Sequence, residues 1–216
     1  MALHTRCPTS QLVASIDGTA RDGPLAAMVA PFTTVRLPTP LRLTPPLRER
    51  HYVFPVSGDL GVADTFGAAR SDESWHHGDD LFAPRGTPVL AVANGVIFSV
   101  GRQRLGGRRL WLRDRAGNEF YYAHLNAYSP LARDGELVRA GDVIGYVGNT
   151  GDAEHTPPHL HFEIHPASLL GLGYDGAVDP TSYLRAWQRR SVDGYSAAAA
   201  PELSSLARSS CAAGVP

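Results

Sequence analysis

Through the middle of the chain, apolar residues gather in short runs cut by Gly, Asn, Asp and Pro, with little sign of a helical period. Short apolar runs bounded by turn residues predict strands. Tyr52–Val56 is the first of them. Pro88–Ala93 (PVLAVA) and Val96–Val100 (VIFSV) flank Asn94-Gly95, a pair suited to a tight hairpin. Leu110–Asp114 and Glu119–Leu125 flank Ala116-Gly117-Asn118, which predicts a second hairpin. Val143–Val147 follows the turn Ala140-Gly141-Asp142, and Leu160–Ile164 is the last run. One helix is expected after Asp179-Pro180, with Leu184 and Trp187 on its buried face. The reading is an all-β sheet or sandwich with one short helix near its C-terminal end. Two segments, VLAVANGVIFSVG and VRAGDVIGYVG, are loosely alike and hint at internal duplication.

The ends break this pattern. A length of 216 residues suits one domain with tails. Residues 1–50 hold seven of the seventeen prolines, which remove backbone donors and disfavour helix in the preceding residue. They are read as an extended, weakly structured arm. Residues 51–190 form the expected domain. Residues 191–216 are small and polar and read as a flexible low-complexity tail, with Pro201–Arg208 its one short helical stretch.

Composition removes several functions. Twenty basic residues against twenty-one acidic ones leave a formal charge of −1, so there is no general electrostatic case for nucleic acid or an anionic membrane. Every basic residue is Arg. Without Lys there is no phosphate loop of the G-x-x-x-x-G-K-[ST] type, no Schiff base to pyridoxal phosphate and no biotinyl or lipoyl carrier. Two cysteines, Cys7 and Cys211, cannot build a four-cysteine zinc site, and no disulfide framework is expected. No run is apolar enough to predict a transmembrane helix. The opening residues show no positively charged, then apolar, export signal, so none is expected from this sequence.

The informative excess is histidine: seven of nine lie between His76 and His165. In Trp75-His76-His77-Gly78-Asp79-Asp80, His76 and Asp80 are four apart, and Gly78 suggests a loop entering a strand that lets both converge. In Pro158-His159-Leu160-His161-Phe162-Glu163-Ile164, period two sends His159, His161 and Glu163 to one face and Leu160, Phe162 and Ile164 to the other. In Phe120-Tyr121-Tyr122-Ala123-His124-Leu125, the same alternation groups Phe120, Tyr122 and His124. Together these supply His76, Asp80 and His161 as a two-His, one-carboxylate set, with His159 and His124 left for proton transfer or oxyanion stabilisation. Three protein ligands and an open fourth position mark catalytic zinc. Spacing alone does not decide which His of the HLH pair takes the metal.

From about Tyr52 to Leu184 the chain resembles the lysostaphin/LytM-type zinc metallopeptidases, which cut peptide cross-links of bacterial cell walls. The resemblance rests on His76-x-Gly78-x-Asp80 followed by APRGTPVLAVANGVI, then Leu105-Gly106-Gly107, YYAHL at 121–125, VRAGDVIGYVGNTG at 138–151 and PHLHFEI at 158–164. It implies an antiparallel β fold of the lysostaphin-like, duplicated hybrid motif type, with a groove over the sheet. It implies one Zn2+ held by His76, Asp80 and His161, with His124 and His159 as the catalytic pair. One imidazole would take a proton from water and return it to the leaving amine, and the other would donate to the developing oxyanion. His159 is read as the base and His124 as the stabiliser, with the reverse assignment open. Asn149, Thr150 and Tyr122 fall in segments expected to line the groove, though turn and packing roles suit them equally. His77, His155 and His165 are expected to be exposed or to lie behind the ligands. Glu163 is read as a surface residue that could alternatively orient an imidazole.

The implied substrate is a peptidoglycan peptide, and the implied place of action is the cell wall, the periplasm or the medium. A non-catalytic relative that regulates another wall hydrolase is the main rival. Such a protein would be expected to lack ligands or catalytic His, and none of the five positions is missing. A His-phosphorylated sugar-transport carrier also uses paired His on a sheet, but leaves His76-x-Gly78-x-Asp80 unexplained.

Overall fold

The computed structural model describes residues 37–40, 43–48, 51–70 and 74–198. In chain order these carry strands β1 (Ala69–Arg70), β2 (Ser74–Trp75), β3 (Asp79–Phe82), β4 (Pro88–Leu90), β5 (Gly95–Gln103) and β6 (Gly107–Asp114). There follow β7 (Glu119–Leu125), β8 (Ala127–Tyr128), β9 (Leu137–Val138), β10 (Val143–Tyr146), β11 (His159–His165) and helix α1 (Thr181–Ala198). Segments of 3-10 helix lie at Gly151–His155 and Ala167–Gly176. All pairings are antiparallel. The main sheet runs β3-β11-β7-β6-β5-β9, a smaller one runs β4-β10-β8, and β1-β2 stand as a pair.

Alternation explains the main sheet. Leu160, Phe162 and Ile164 of β11, Phe120 and Tyr122 of β7, and Leu110 and Leu112 of β6 turn one face inward. They join Val89 and Ile144 of the smaller sheet in a single buried cluster. Helix α1 closes that cluster where the sequence places it, with Leu184 and Trp187 buried. Trp187 stacks on Tyr52 at 5.0 Å and meets Phe120 and Phe162 edge-on. Asp79 ties the helix start to the site strand. Its Oδ1 accepts from the Thr65 and Phe66 amides and its Oδ2 from the Thr181 hydroxyl.

Turn chemistry succeeds in one hairpin and fails in the other. β6 and β7 pair as expected, with Gly117 at φ +85° and the Asn118 amide donating to Asp114 Oδ1. Asn94-Gly95 does not make a hairpin, because β4 and β5 belong to different sheets. The Asn94 side chain instead accepts from the Ala140 amide, fastening the crossing between sheets. Gly95 is needed for space: a Cβ there would strike the Arg113 carbonyl. Tyr52–Val56 is extended and runs beside the β4 stretch through the bonds Val53 N–H to the Val92 carbonyl and Leu90 N–H to the Pro55 carbonyl and an isolated bridge, Val56 to Val89. Beyond the expected strands, the chain forms β1, β2, β3, β8 and β9 as well, all short.

The expected arm and tail fall largely outside the described residues, as do Cys7, Cys211 and the expected helix at Pro201–Arg208. Within them, residues 37–40 and 43–48 have no helix or strand, yet they are anchored. The Leu37 amide donates to Asp175 Oδ2, the Trp75 indole to the Leu37 carbonyl, and the Tyr183 hydroxyl to the Pro45 carbonyl. The backbone of α1 runs to Ala198, into the stretch expected as tail. Among the described residues no helix is long and apolar enough to cross a membrane.

Gly78, just ahead of β3, stands in a tight place, since a Cβ would overlap the Phe162 backbone carbonyl. Its role is close approach. Gly78→Ala is therefore expected to destabilise the fold by about 1–3 kcal/mol or more, read as a lower midpoint in denaturant with an unchanged slope.

Candidate active site

Register brings the first cluster together. β3 and β11 pair so that His161 lies directly opposite Asp80. His76, directly after β2 and three residues ahead of β3, is fixed by backbone bonds in both directions, Gly67 N–H to its carbonyl and its own N–H to the Ala68 carbonyl. The inward atoms of the three residues nearly touch. His76 Nε2 is 2.8 Å from His161 Nδ1, and Asp80 Oδ1 is 3.1 Å from the former and 3.2 Å from the latter.

The outward atoms explain what faces inward. His76 Nδ1–H donates to the Thr65 carbonyl at 2.8 Å, and His161 Nε2–H donates to Glu163 Oε1 at 2.8 Å. Asp80 Oδ2 accepts from Arg70 Nη2 at 2.9 Å. With the outer ring nitrogens protonated, the inner ones carry lone pairs. Three electron-pair donors at this separation repel unless a cation lies among them. Tetrahedral zinc bound at roughly 2.0–2.1 Å would hold its ligands roughly 3.3 Å apart, close to the spacing seen. Without a metal, a proton on His161 relieves the same repulsion. Burial would lower the His161 pKa, but its bonds to Asp80 and Glu163 carry it up to about 10. Burial opposes ionisation of Asp80 too, yet His161 and His76 hold its carboxyl far below the usual range.

Glu163 is not a surface residue. It is fully buried and accepts from three side chains: His161, His165 at 2.6 Å and the Tyr174 hydroxyl at 2.6 Å. The two histidines keep it ionised despite its burial. His165 thus stands behind the site, whereas His155 is exposed. His77 is neither exposed nor in contact with the ligand atoms. It stacks on Trp75 at 3.7 Å and bonds Asp175, and burial lowers its pKa.

The second pair depends on a departure from alternation. Arg108 pairs with Leu125 and Leu110 with Tyr122, so β7 holds one residue more than β6 across this step. His124 sits in this bulge with φ +60°, a conformation found in a few non-glycine residues, often at functional sites. The extra residue reverses the phase. Tyr122 and Leu125 stay in the core while His124 turns to the opposite side. The expected grouping of Tyr122 with His124 is therefore wrong. The Tyr122 hydroxyl is spent in the core as acceptor for the Val92 amide.

His124 Nδ1–H donates to the Thr150 carbonyl and His159 Nδ1–H to the Pro157 carbonyl, at 2.8 and 2.9 Å. Both rings therefore offer Nε2 lone pairs, with centroids 4.9 Å apart. His159 Nε2 lies 3.7 Å from Asp80 Oδ1. Burial, then the charges of His161 and His159, push the His124 pKa down to about 3. With Nδ1–H committed to Thr150, His124 turns its Nε2 toward the groove.

The five residues line one groove of about 490 Å³. Asn149 and Thr150 brace its rim from behind and do not line it. Thr150 Oγ1 accepts from the Arg108 amide and donates to the Leu125 carbonyl. Asn149 binds the Glu154 and Thr156 carbonyls and accepts from Arg85. Arg70, Phe82, Tyr121, Asp152 and Tyr174 line the groove and were not anticipated. Only Tyr121 had a signal, as the neighbour of Tyr122 on the other face of a strand.

Two outcomes follow from this network. Glu163→Gln should weaken metal binding about 10–100-fold, measured by competition with a chelating dye, while the fold persists. In metal-free protein, the raised His161 pKa contributes stability that is complete below pH 6.5 and lost as pH rises toward about 10. Melting temperature should fall across that window, and His161→Ala should flatten the fall.

Residues 74–180 match peptidase family M23. The L-Ala–D-Glu endopeptidase of Bacillus subtilis is 35% identical over 150 residues, 66% of this chain and 45% of that protein. The DD-carboxypeptidase/endopeptidase Mpg of Neisseria meningitidis is 48% identical over 88 residues, 41% of this chain and 19% of that one. The chain thus spans less than half the length of either curated relative. The catalytic domain of lysostaphin, an antimicrobial peptidase from Staphylococcus simulans, superposes with a TM-score of 0.51 at 32% identity. That match covers 58% of this chain and 92% of the lysostaphin domain. With the antiparallel sheet and the ordered motifs, these matches make the chain a member of peptidase family M23.

Proposed function

We propose that the chain is a zinc metalloendopeptidase that hydrolyses peptide cross-links or stem peptides of bacterial peptidoglycan, acting in the cell wall, the periplasm or the medium. The observation that carries this reading is the convergence of His76 Nε2, His161 Nδ1 and Asp80 Oδ1, each with its outer atom already engaged. Membership of a peptidase family with peptidoglycan endopeptidases among the relatives supports the substrate.

In this reading those three atoms hold the ion. Zinc there supplies Lewis acidity, polarising the scissile carbonyl and bringing the pKa of water toward neutrality. His159 takes the water proton at Nε2, since its Nδ1–H is committed to Pro157 and it borders Asp80. It returns that proton to the leaving amine. His124 stays neutral and accepts a hydrogen bond from water or a substrate N–H, orienting it. Phe82, 48% exposed and 5.2 Å from the His159 ring, offers an apolar contact beside the reacting bond.

Purified protein is expected to carry one zinc per chain, and mass spectrometry of digested peptidoglycan to detect fragments whose release a chelator stops. His161→Ala should lose both zinc and lysis. His159→Ala should keep zinc yet lose about 10²–10⁴-fold in rate. Lysis that survives His161→Ala, or that ignores the chelator, would sink the proposal.

A further inference from the structure

Among the described residues, Arg70 is the one cation lining the groove outside the histidines, and its geometry leaves it half-used. It sits at the end of β1, on the β3 side of the main sheet, with its side chain 42% exposed. Nη2 bonds Asp80 Oδ2, and among the described residues this is its only hydrogen-bond partner. A guanidinium carries five N–H donors in a planar fork that suits a carboxylate. The groove's remaining acid, Asp152, lies toward the other side, 3.9 Å from His124 Nδ1 and next to the β5–β6 connection through its amide bond to Leu105. The two ends of the groove therefore differ: at one the Arg70 guanidinium is paired with Asp80, and at the other the Asp152 carboxylate lies beside His124. Between these ends Phe82, Leu105, Tyr121 and Tyr174 add no formal charge.

We infer that Arg70 is a specificity-determining residue that binds a free carboxylate of the substrate next to the scissile bond. The substrate class is then an acidic stem peptide, and an uncharged glycine bridge is disfavoured. This rests on the peptidase reading above. The exposed N–H edge of Arg70 takes the carboxylate while Nη2 stays on Asp80, so one side chain steadies a ligand and reads the substrate. Asp152 repels a carboxylate laid in the reverse direction, which gives the peptide one orientation.

The test uses the zinc-loaded chain and two peptides identical but for one group beside the scissile bond, a carboxylate in one and its primary amide in the other. The carboxylate peptide is expected to have kcat/KM about 10–100-fold higher, mostly through KM. Arg70→Gln should bring that ratio close to one, and Arg70→Lys should restore part of it. The ratio is read, not the absolute rate, and zinc content of each variant reports separately on the contact with Asp80. Affinities for the same pair with the scissile amide reduced should show the same preference without turnover. A wild-type ratio near one, or a ratio unchanged in Arg70→Gln, overturns the inference even where intact peptidoglycan is cleaved. No cleavage of either peptide or of peptidoglycan would overturn the peptidase reading and this one with it.

Discussion

Two imidazole nitrogens and a carboxylate oxygen, all presenting lone pairs, cannot be buried in mutual contact unless something positive lies among them. Much of this molecule is arranged around that constraint. Each inward atom owes its direction to a bond on the far side of the same group: Thr65 behind His76, Glu163 behind His161, Arg70 behind Asp80. Glu163 in turn is fully buried and held by His165 and Tyr174. A buried carboxylate with three donors is well satisfied; the same group with one missing would be costly. The site is thus backed by a polar layer that packs against the apolar core across a single sheet.

The apolar side does the coarse positioning. Leu160, Phe162 and Ile164 anchor β11, and the same alternation presents His159, His161 and Glu163 opposite. Asp79 and Asp80 divide similar labour on β3. Asp79 knots the strand to α1 and the approach to β1, and Asp80 serves the site. A Cβ at Gly78 would overlap the Phe162 carbonyl, so glycine there leaves room for the chain ahead of β3 to run close to β11.

Much of this was legible in the sequence because local pattern and tertiary demand agree. The HLHFE alternation, the β6–β7 hairpin and the helix after Asp179-Pro180 each need only their own residues to be read. Failures arise where a distant partner decides. Asn94-Gly95 has hairpin chemistry but stands at a crossing between sheets. Tyr122 obeys alternation and enters the core, whereas His124 escapes it through a bulge that only pairing with β6 reveals. Burial of Glu163 depends on His165 and Tyr174, the latter from a segment without periodicity. Arg70 carries no motif of its own, and its importance comes from the single oxygen it touches.

The bulge at His124 makes one strand serve two phases. Up to Tyr122 it follows the core's reading frame, and from the bulge onward it is shifted by one. A perfectly regular β7 would pair better and avoid a left-handed residue, but would turn the imidazole away from the groove. At this position the most stable backbone and the most useful one are different, and the chain has settled on the less regular of the two. Sequence change that idealises the strand would trade chemistry for stability, so insertions and deletions here carry a meaning that point substitutions do not.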